Sequence, residues 1–243
     1  NGTIILILVT CLVASFVTEK AAKKIAMTID DDTSDLLQQN KMNNEKILMP
    51  IANIENIEKL LEFSIFIRDK KSGQPVSILS VVSNNEDAEM NILKARNKLN
   101  EFVKQASASE TDVKIISTID HNAASGIART SKEIMANIIV LGWPRKRGLL
   151  DIIIGEKMDS ILSNTDKTTF ICHFERPLAL HKKMMVFIPP LAECELGFDL
   201  WFTKLSKLAQ ELTIPVQIYC NKASEEAFRS LIKKIKISAM VMF

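Results

Sequence analysis

The first apolar stretch, Thr3 to Val17 (TIILILVTCLVASFV), holds no charged side chain, and the first ionisable residue is Glu19. Lys20, Lys23 and Lys24 follow directly. At about 1.5 Å per residue the stretch falls short of the roughly 30 Å hydrocarbon core of a bilayer. The chain opens on Asn1 with nothing charged ahead of the run, the pattern expected where a longer apolar helix has its beginning missing. Three readings compete. A signal peptide needs positive charge before the apolar stretch, whereas here it comes after. A buried helix of a soluble domain needs a polar stripe, and this run has none. The last spanning helix of a membrane protein fits best, and the lysines behind it put the following residues on the cytoplasmic side.

Residues 1–26 are therefore assigned to the end of a transmembrane helix and its basic exit, and 27–45 to a linker. The linker is polar, and Asp30, Asp31 and Asp32 read as solvated charge, since no second set of oxygen ligands stands nearby.

From Lys46 the pattern changes to short apolar runs alternating with amphipathic stretches. Ile47–Ile51, Val76–Val82, Val113–Ile119, Ile138–Leu141 and Thr168–Phe174 predict buried strands. Between them, Asn56–Lys71 carries Ile57, Leu60, Leu61, Ser64 and Ile65 on one helical face, with Gly73 as its stop. Glu86–Ala106 places Ala88, Ile92, Ala95, Leu99, Phe102 and Ala106 at helical spacing. Asn122 caps a helix running to Met135, and another helix lies near Gly155–Ser163. Strands alternating with helices in this way predict right-handed crossovers, hence a doubly wound parallel α/β sheet over 46–175.

The pattern then restarts. Lys183-Met-Met-Val-Phe-Ile-Pro189 echoes Lys46-Ile-Leu-Met-Pro-Ile-Ala52, and Pro215-Val-Gln-Ile-Tyr219 echoes Pro75-Val-Ser-Ile-Leu79. A helix with Leu196, Leu200, Leu205, Leu208 and Leu212 facing inward is expected between them. A second helix over Ser224–Lys234 and an apolar run Ile237–Phe243 complete the series. Residues 183–243 thus predict a partial second copy of the unit.

Composition narrows the possibilities. The 243 residues are 47% apolar and 25% charged, which excludes a disordered tail. Thirty-one basic against 29 acidic residues give a net charge of +2, which argues against nucleic acid as the partner. The four cysteines, Cys11, Cys172, Cys194 and Cys220, read as small buried apolar residues in a reducing compartment. A metal site from Cys172, His173, His181 and Cys194 fits no structural zinc spacing, and neighbours on a strand point to opposite faces. His121, past a strand end beside Asp120, stands where open α/β sheets place their sites, although a solvent-facing loop histidine that helps start the next helix is the favoured reading. Trp143 and Trp201 read as packing residues, and Arg145-Lys-Arg147 as a solvated loop that could touch anionic headgroups.

Residues 46–174 resemble the universal stress protein domain in strand order, in length and in the Gly142…Gly148…Gly155 loop. Nucleotide-binding members of that family carry a phosphate loop of the form G-x2-G-x9-G-[ST]. Here Gly142 and Gly155 are kept, the second glycine is Arg145, and the final hydroxyl residue is Glu156. The family's aspartate after the first strand is replaced by Ala52. The resemblance implies a degenerate nucleotide site at Ala52, Val82, Gly142, Arg145, Gly148, Gly155 and Glu156. A side chain at 145 obstructs the approach of backbone N–H groups to phosphate, and a carboxylate at 156 repels it. No resident cofactor is implied, with ATP or another adenine nucleotide as the one ligand class to consider.

The apolar helix end, the lysine-rich exit, the linker and the tandem domains together resemble the C-terminal part of a bacterial sodium (or potassium)/proton antiporter of the monovalent cation:proton antiporter family. That resemblance implies a non-catalytic regulatory region of a transporter in the cell inner membrane, cytoplasmic after about residue 20. Its partners would be an upstream transmembrane transport domain of the same polypeptide and the lipid bilayer. Pairing would occur as a homodimer or between the tandem domains, with no nucleic acid. The alternative is a stand-alone ATP-binding universal stress protein, which an intact phosphate loop would favour. No nucleophile elbow, Walker loop or G-x-G-x-x-G points to an enzyme.

Overall fold

The computed structural model describes residues 45–51, 57–69, 72–106, 112–143, 158–235 and 238–243. Contacts divide the chain into two units, Asn1–Asn44 and Glu45–Phe243. The expected membrane helix end and nearly all of the linker lie outside the described residues.

Five parallel strands form the first sheet: β1 (Ile47–Pro50), β2 (Val76–Ser83), β3 (Val113–Asp120), β4 (Ile138–Gly142) and β5 (Thr168–Cys172). Their order is β3-β2-β1-β4-β5. Every residue of β1 is buried, which explains why its sequence is a continuous apolar run rather than an alternating one. Helices α1 (Ile57–Ile67) and α2 (Ala88–Ala106) cover one face, sharing a core with Ile47, Met49, Val76 and Ile78. Helix α3 (Ala123–Glu133) and helical residues 158–163 cover the other, packing on Leu48, Leu79, Ile139 and Leu141. Asn122 caps α3 as expected, its side chain accepting from the Ser125 amide at 2.9 Å. Gly126 lets α3 sit close to the sheet: a Cβ there would lie 2.6 Å from Val81 Cγ1.

Several boundaries differ from expectation. Helix α1 ends at Ile67, before Gly73, which does not act as its stop. Helix α3 ends at Glu133, with Met135 in the left-handed region at φ 54. Strand β5 ends at Cys172 rather than Phe174.

The second sheet is also parallel, with β6 (Met184–Phe187), β7 (Val216–Tyr219) and β8 (Val241–Met242) in the order β6-β7-β8. Helices α4 (Phe198–Glu211) and α5 (Lys222–Ile235) cover one face. Its register repeats that of the first sheet. Leu48, Met49 and Pro50 stand opposite Ser77, Ile78 and Leu79. Met185, Val186 and Phe187 stand opposite Gln217, Ile218 and Tyr219. Val76 opposite Val113 recurs as Val216 opposite Val241. Strands β6, β7 and β8 therefore take the places of β1, β2 and β3, and α4 and α5 those of α1 and α2.

Helix α4 is buried on two sides. Phe198, Phe202 and Ala209 pack on the second sheet with Phe228, whose ring centroid lies 4.6 Å from that of Phe202. Leu208 joins the first core, with Leu200, Leu205 and Leu212 against it. Leu196 departs from the expected stripe: it precedes the helix and is fully exposed. Cys194 is likewise exposed, not buried, because it sits on a 3-10 turn following Leu191 at φ 68. Cys220 is half-buried, and Cys172 is buried as expected.

Between α1 and α4 lies a charged network. Lys204 of α4 forms an ion pair with Glu45, their side chains 5% and 4% exposed. The Asp69 amide donates to Glu45 Oε1 at 3.3 Å, and Ser72 Oγ donates to the Glu45 carbonyl at 2.9 Å. Lys207 stands 3.6 Å from Asp69. Burial holds the Lys207 ammonium below its ordinary pKa, with Asp69 opposing. Taking one ion away would strand the other out of water, which costs far more than the net worth of the pair. Lys204→Met should lower the unfolding free energy by about 3 kcal/mol in urea titrations, with Glu45→Met/Lys204→Met recovering most of it. An unchanged midpoint for the single variant would mean that water reaches Glu45.

Candidate functional site

The strand order reverses between β1 and β4, so the crevice at their carboxyl ends is where an open parallel sheet binds ligands. Four described residues bound that end: Ile51, Val82, Gly142 and Trp143. The Ile51 amide donates to the Leu79 carbonyl at 2.8 Å, and the Trp143 amide to that of Cys172 at 2.7 Å, so neither is directed at a ligand. Val82 lies near the end of β2, half-buried and opposite Ile119. Gly142 closes β4 opposite Cys172. The structure thus brings Val82 and Gly142 to the same end of the sheet. Ala52, Arg145, Gly148, Gly155 and Glu156 lie outside the described residues.

Gly142 has a packing reason to be glycine. A Cβ there would stand 2.9 Å from Leu60 Cδ1, so the absent side chain lets α1 close over the strand end. Lys59, next to Leu60, donates to the carbonyls of Phe174 at 3.2 Å and Glu175 at 2.9 Å. It fastens α1 to the chain leaving β5, and its ammonium is engaged with backbone rather than held ready for an anion. A cavity of about 10 Å³ remains among Lys59, Leu60, Gly142, Trp143, Cys172, His173 and Phe174. That is room for a single water at most.

Asp120 is likewise engaged within the fold. Asp120 accepts from the His121 amide at 2.8 Å and pairs with Arg129 at 3.2 Å. Arg129 also donates to Thr118 Oγ1 at 2.7 Å and to the Ile119 carbonyl at 3.0 Å. This brace ties α3 to the end of β3, and the His121 side chain is not part of it. Trp201 packs edge-on against Phe198 and Phe202. Trp143 is 39% exposed, so it packs less than expected. Among the described residues no group of three His, Cys, Asp or Glu side chains could hold a metal ion.

The profile of the universal stress protein family matches residues 43–173. The chain belongs to that family. A solved universal stress protein from Archaeoglobus fulgidus superposes on 83% of this chain and 77% of its own, with a TM-score of 0.57 at 15% identity. A second, assigned to the same family in Pseudomonas aeruginosa, covers 84% and 75% with a TM-score of 0.53 at 12% identity. At these identities the likeness is one of fold. Both spans exceed the matched stretch 43–173, so the fold shared with universal stress proteins extends into the second sheet. The Na(+)/H(+) antiporter NhaS5 of Synechocystis is 29% identical over 180 residues, covering 66% of this chain and 26% of the antiporter. The chain therefore spans about a quarter of the length of that curated relative.

Sequence reasoning misses the packing around Gly142. The contact of Leu60 with Gly142 joins residues far apart in the chain and leaves no local trace. Lys204 is more visible: a charge set four residues from both Leu200 and Leu208 on a buried stripe is a sign of a paired ion.

Cys172, which lines the small cavity, gives a test of its closure. Burial pushes its thiol up to about 12 from an ordinary 9.0. Below pH 9 the thiol is protonated in both states and contributes no slope. Above it the unfolded chain ionises first, so stability should fall as pH rises from 9 toward 12. Urea unfolding of wild type and Cys172→Ala at pH 8 and pH 10 measures this. The variant should lose less stability between the two values, and parallel losses would show the thiol to be accessible.

Proposed function

We propose that this region is the cytoplasmic regulatory part of a membrane cation/proton antiporter and performs no catalysis itself. The observation that carries the reading is the similarity to the Synechocystis antiporter. It covers 66% of this chain, more than the universal stress protein match at 43–173, so it reaches beyond the domain common to the whole family. The uncharged stretch Thr3–Val17 followed by Lys20, Lys23 and Lys24 supports attachment to a membrane. Among the described residues no helix is long and apolar enough to cross one.

In this reading the ions move through another part of the polypeptide, and the α/β region biases that part. Bias requires a ligand or partner that binds two states with different affinity. Glu45 supplies a mechanical route. It is the first residue of the compact unit and is held by Lys204 of α4, so a change in how α1 meets α4 reaches the point where the preceding chain joins. The ligand class offered by the family resemblance is an adenine nucleotide, at Ala52, Val82, Gly142, Arg145, Gly148, Gly155 and Glu156. Arg145 and Glu156 weaken such a site, because the first obstructs the loop backbone and the second repels phosphate. The tandem halves are read as a pair, 46–175 and 183–243.

Expressed from its whole gene, the polypeptide should sediment with membranes and resist extraction by high salt. Recovery in the soluble fraction would remove the antiporter reading. Calorimetric titration of the chain with ATP should detect no binding below millimolar concentration, and Arg145→Gly with Glu156→Ser should raise the affinity. Micromolar affinity for the unaltered chain would show that the loop is competent as it stands.

A further inference from the structure

Strand β3 is an outer strand of the first sheet, and among the described residues it is paired with β2 alone. Its hydrogen bonds show which backbone groups are left over. The Val76 amide donates to the Asp112 carbonyl at 3.1 Å, and the Asn84 amide to the Asp120 carbonyl at 3.0 Å. Bonded residues alternate along a parallel ladder, so Lys114, Ile116 and Thr118 also turn their backbone groups toward β2. Val113, Ile115, Ser117 and Ile119 turn theirs outward. Arg129 occupies the last of these, donating to the Ile119 carbonyl at 3.0 Å, so the open stretch runs from Val113 to Ser117. At eight residues and without proline, β3 has neither the shortness nor the missing donors that commonly protect an outer strand.

The open edge floors a groove of about 430 Å³. Ile92, Leu93 and Arg96 of α2 line it on one side of the sheet, and Ile134, just past α3, lines it on the other. Leu93 is 61% exposed, so the apolar wall stands open to water. The charged residues of the lining are Arg96 and Lys114, both basic, and neither has an ion-pair partner among the described residues. The nearby acids Asp120 and Glu133 are both held by Arg129, at 3.2 and 3.9 Å. Asp112 precedes the strand and Glu89 stands a turn before Leu93, and neither lines the groove. We propose that the Val113–Ser117 edge docks an extended acidic segment of a partner protein, which joins the sheet beside β3. Backbone bonds to Val113, Ile115 and Ser117 supply the attachment, and side chains supply the selection. Ile115 packs into the core beneath α1 and α2 and Ile116 into the core beneath α3, which puts Lys114 on the α3 side and Arg96 on the other. Successive side chains of an added strand also point to opposite faces, so two adjacent carboxylates reach Arg96 and Lys114 together. Apolar residues flanking them cover Leu93 and Ile134. A basic segment meets two like charges there, and a second copy of β3 brings its own Arg96 and Lys114 against these. A lipid surface offers no partner to the backbone groups. The edge lies apart from the crevice beside Gly142, and its chemistry is the same whether or not the chain belongs to an antiporter.

The probe is the end-capped synthetic peptide Val-Ile-Glu-Asp-Val-Ile, titrated into the 243-residue chain and followed by residue-resolved amide hydrogen exchange. At saturation the outward amides of Val113, Ile115 and Ser117 should exchange more slowly by about ten-fold or more. Those of Lys114 and Ile116, already bonded to β2, should change less. Arg96→Glu with Lys114→Glu, both at exposed positions, should leave the melting temperature nearly unchanged. The double variant should bind this peptide about ten-fold more weakly and prefer Val-Ile-Lys-Lys-Val-Ile instead. The acidic peptide N-methylated along its backbone should give no protection, because it cannot complete the ladder. Equal binding of the acidic and lysine peptides by the unaltered chain would overturn the proposal, as would unprotected Ile115 and Ser117 amides at millimolar peptide. So would protection of the same amides by self-association, or by vesicles of phosphatidylcholine and phosphatidylglycerol in place of the peptide, since a second copy or a lipid surface would then be the occupant.

Discussion

The buried pair of Glu45 and Lys204 is the constraint on which the arrangement of the two halves turns. Charges at 4% and 5% exposure are tolerable only while each has the other, so α4 cannot leave α1 without leaving an unpaired ion in an apolar core. The leucines around Lys204 hold α4 against the first core by apolar burial, which is not directional. The ion pair adds direction: it fixes which turn of α4 lies over the start of β1. Asp69 and Ser72 extend the network by anchoring the loop after α1 to the same carboxyl-bearing residue.

Around that contact the molecule repeats itself. Corresponding helices α1 and α4 meet, each backed by its own parallel sheet, and α4 in consequence must be apolar on two sides. That double demand explains its composition, with Phe198, Phe202 and Ala209 serving one sheet and Leu205, Leu208 and Leu212 serving the other core. The halves part company on the far faces, where the first sheet has α3 and the second has solvent over Met185 and Tyr219.

Much of this was legible in the sequence. Continuous apolar runs gave the buried strands, the echo of Pro75-Val-Ser-Ile-Leu79 in Pro215-Val-Gln-Ile-Tyr219 announced the repeat, and Asn122 announced the start of α3. Where expectation failed, tertiary demands outweighed local pattern. The leucine spacing that includes Leu196 assumes one buried face, but α4 has two, and Gly197 starts the helix after Leu196. Cys194 was read as buried from its residue type, yet the left-handed Leu191 turns it outward. At the candidate site, Val82 and Gly142 stand at one end of the sheet, while the packing of Leu60 that requires the glycine could not be foreseen. Conserving a loop glycine in this family pattern is therefore not by itself a sign of phosphate binding.

The universal stress protein fold is a platform that does not by itself decide what the chain does. The most direct test measures cation-driven proton movement in inverted membrane vesicles containing the complete polypeptide, with and without residues 45–243. The regulatory account predicts exchange in both, with a shifted dependence on pH or cation concentration when the region is removed. Identical activation curves would contradict regulation by this region, and the absence of any exchange by the complete polypeptide would contradict the transporter assignment.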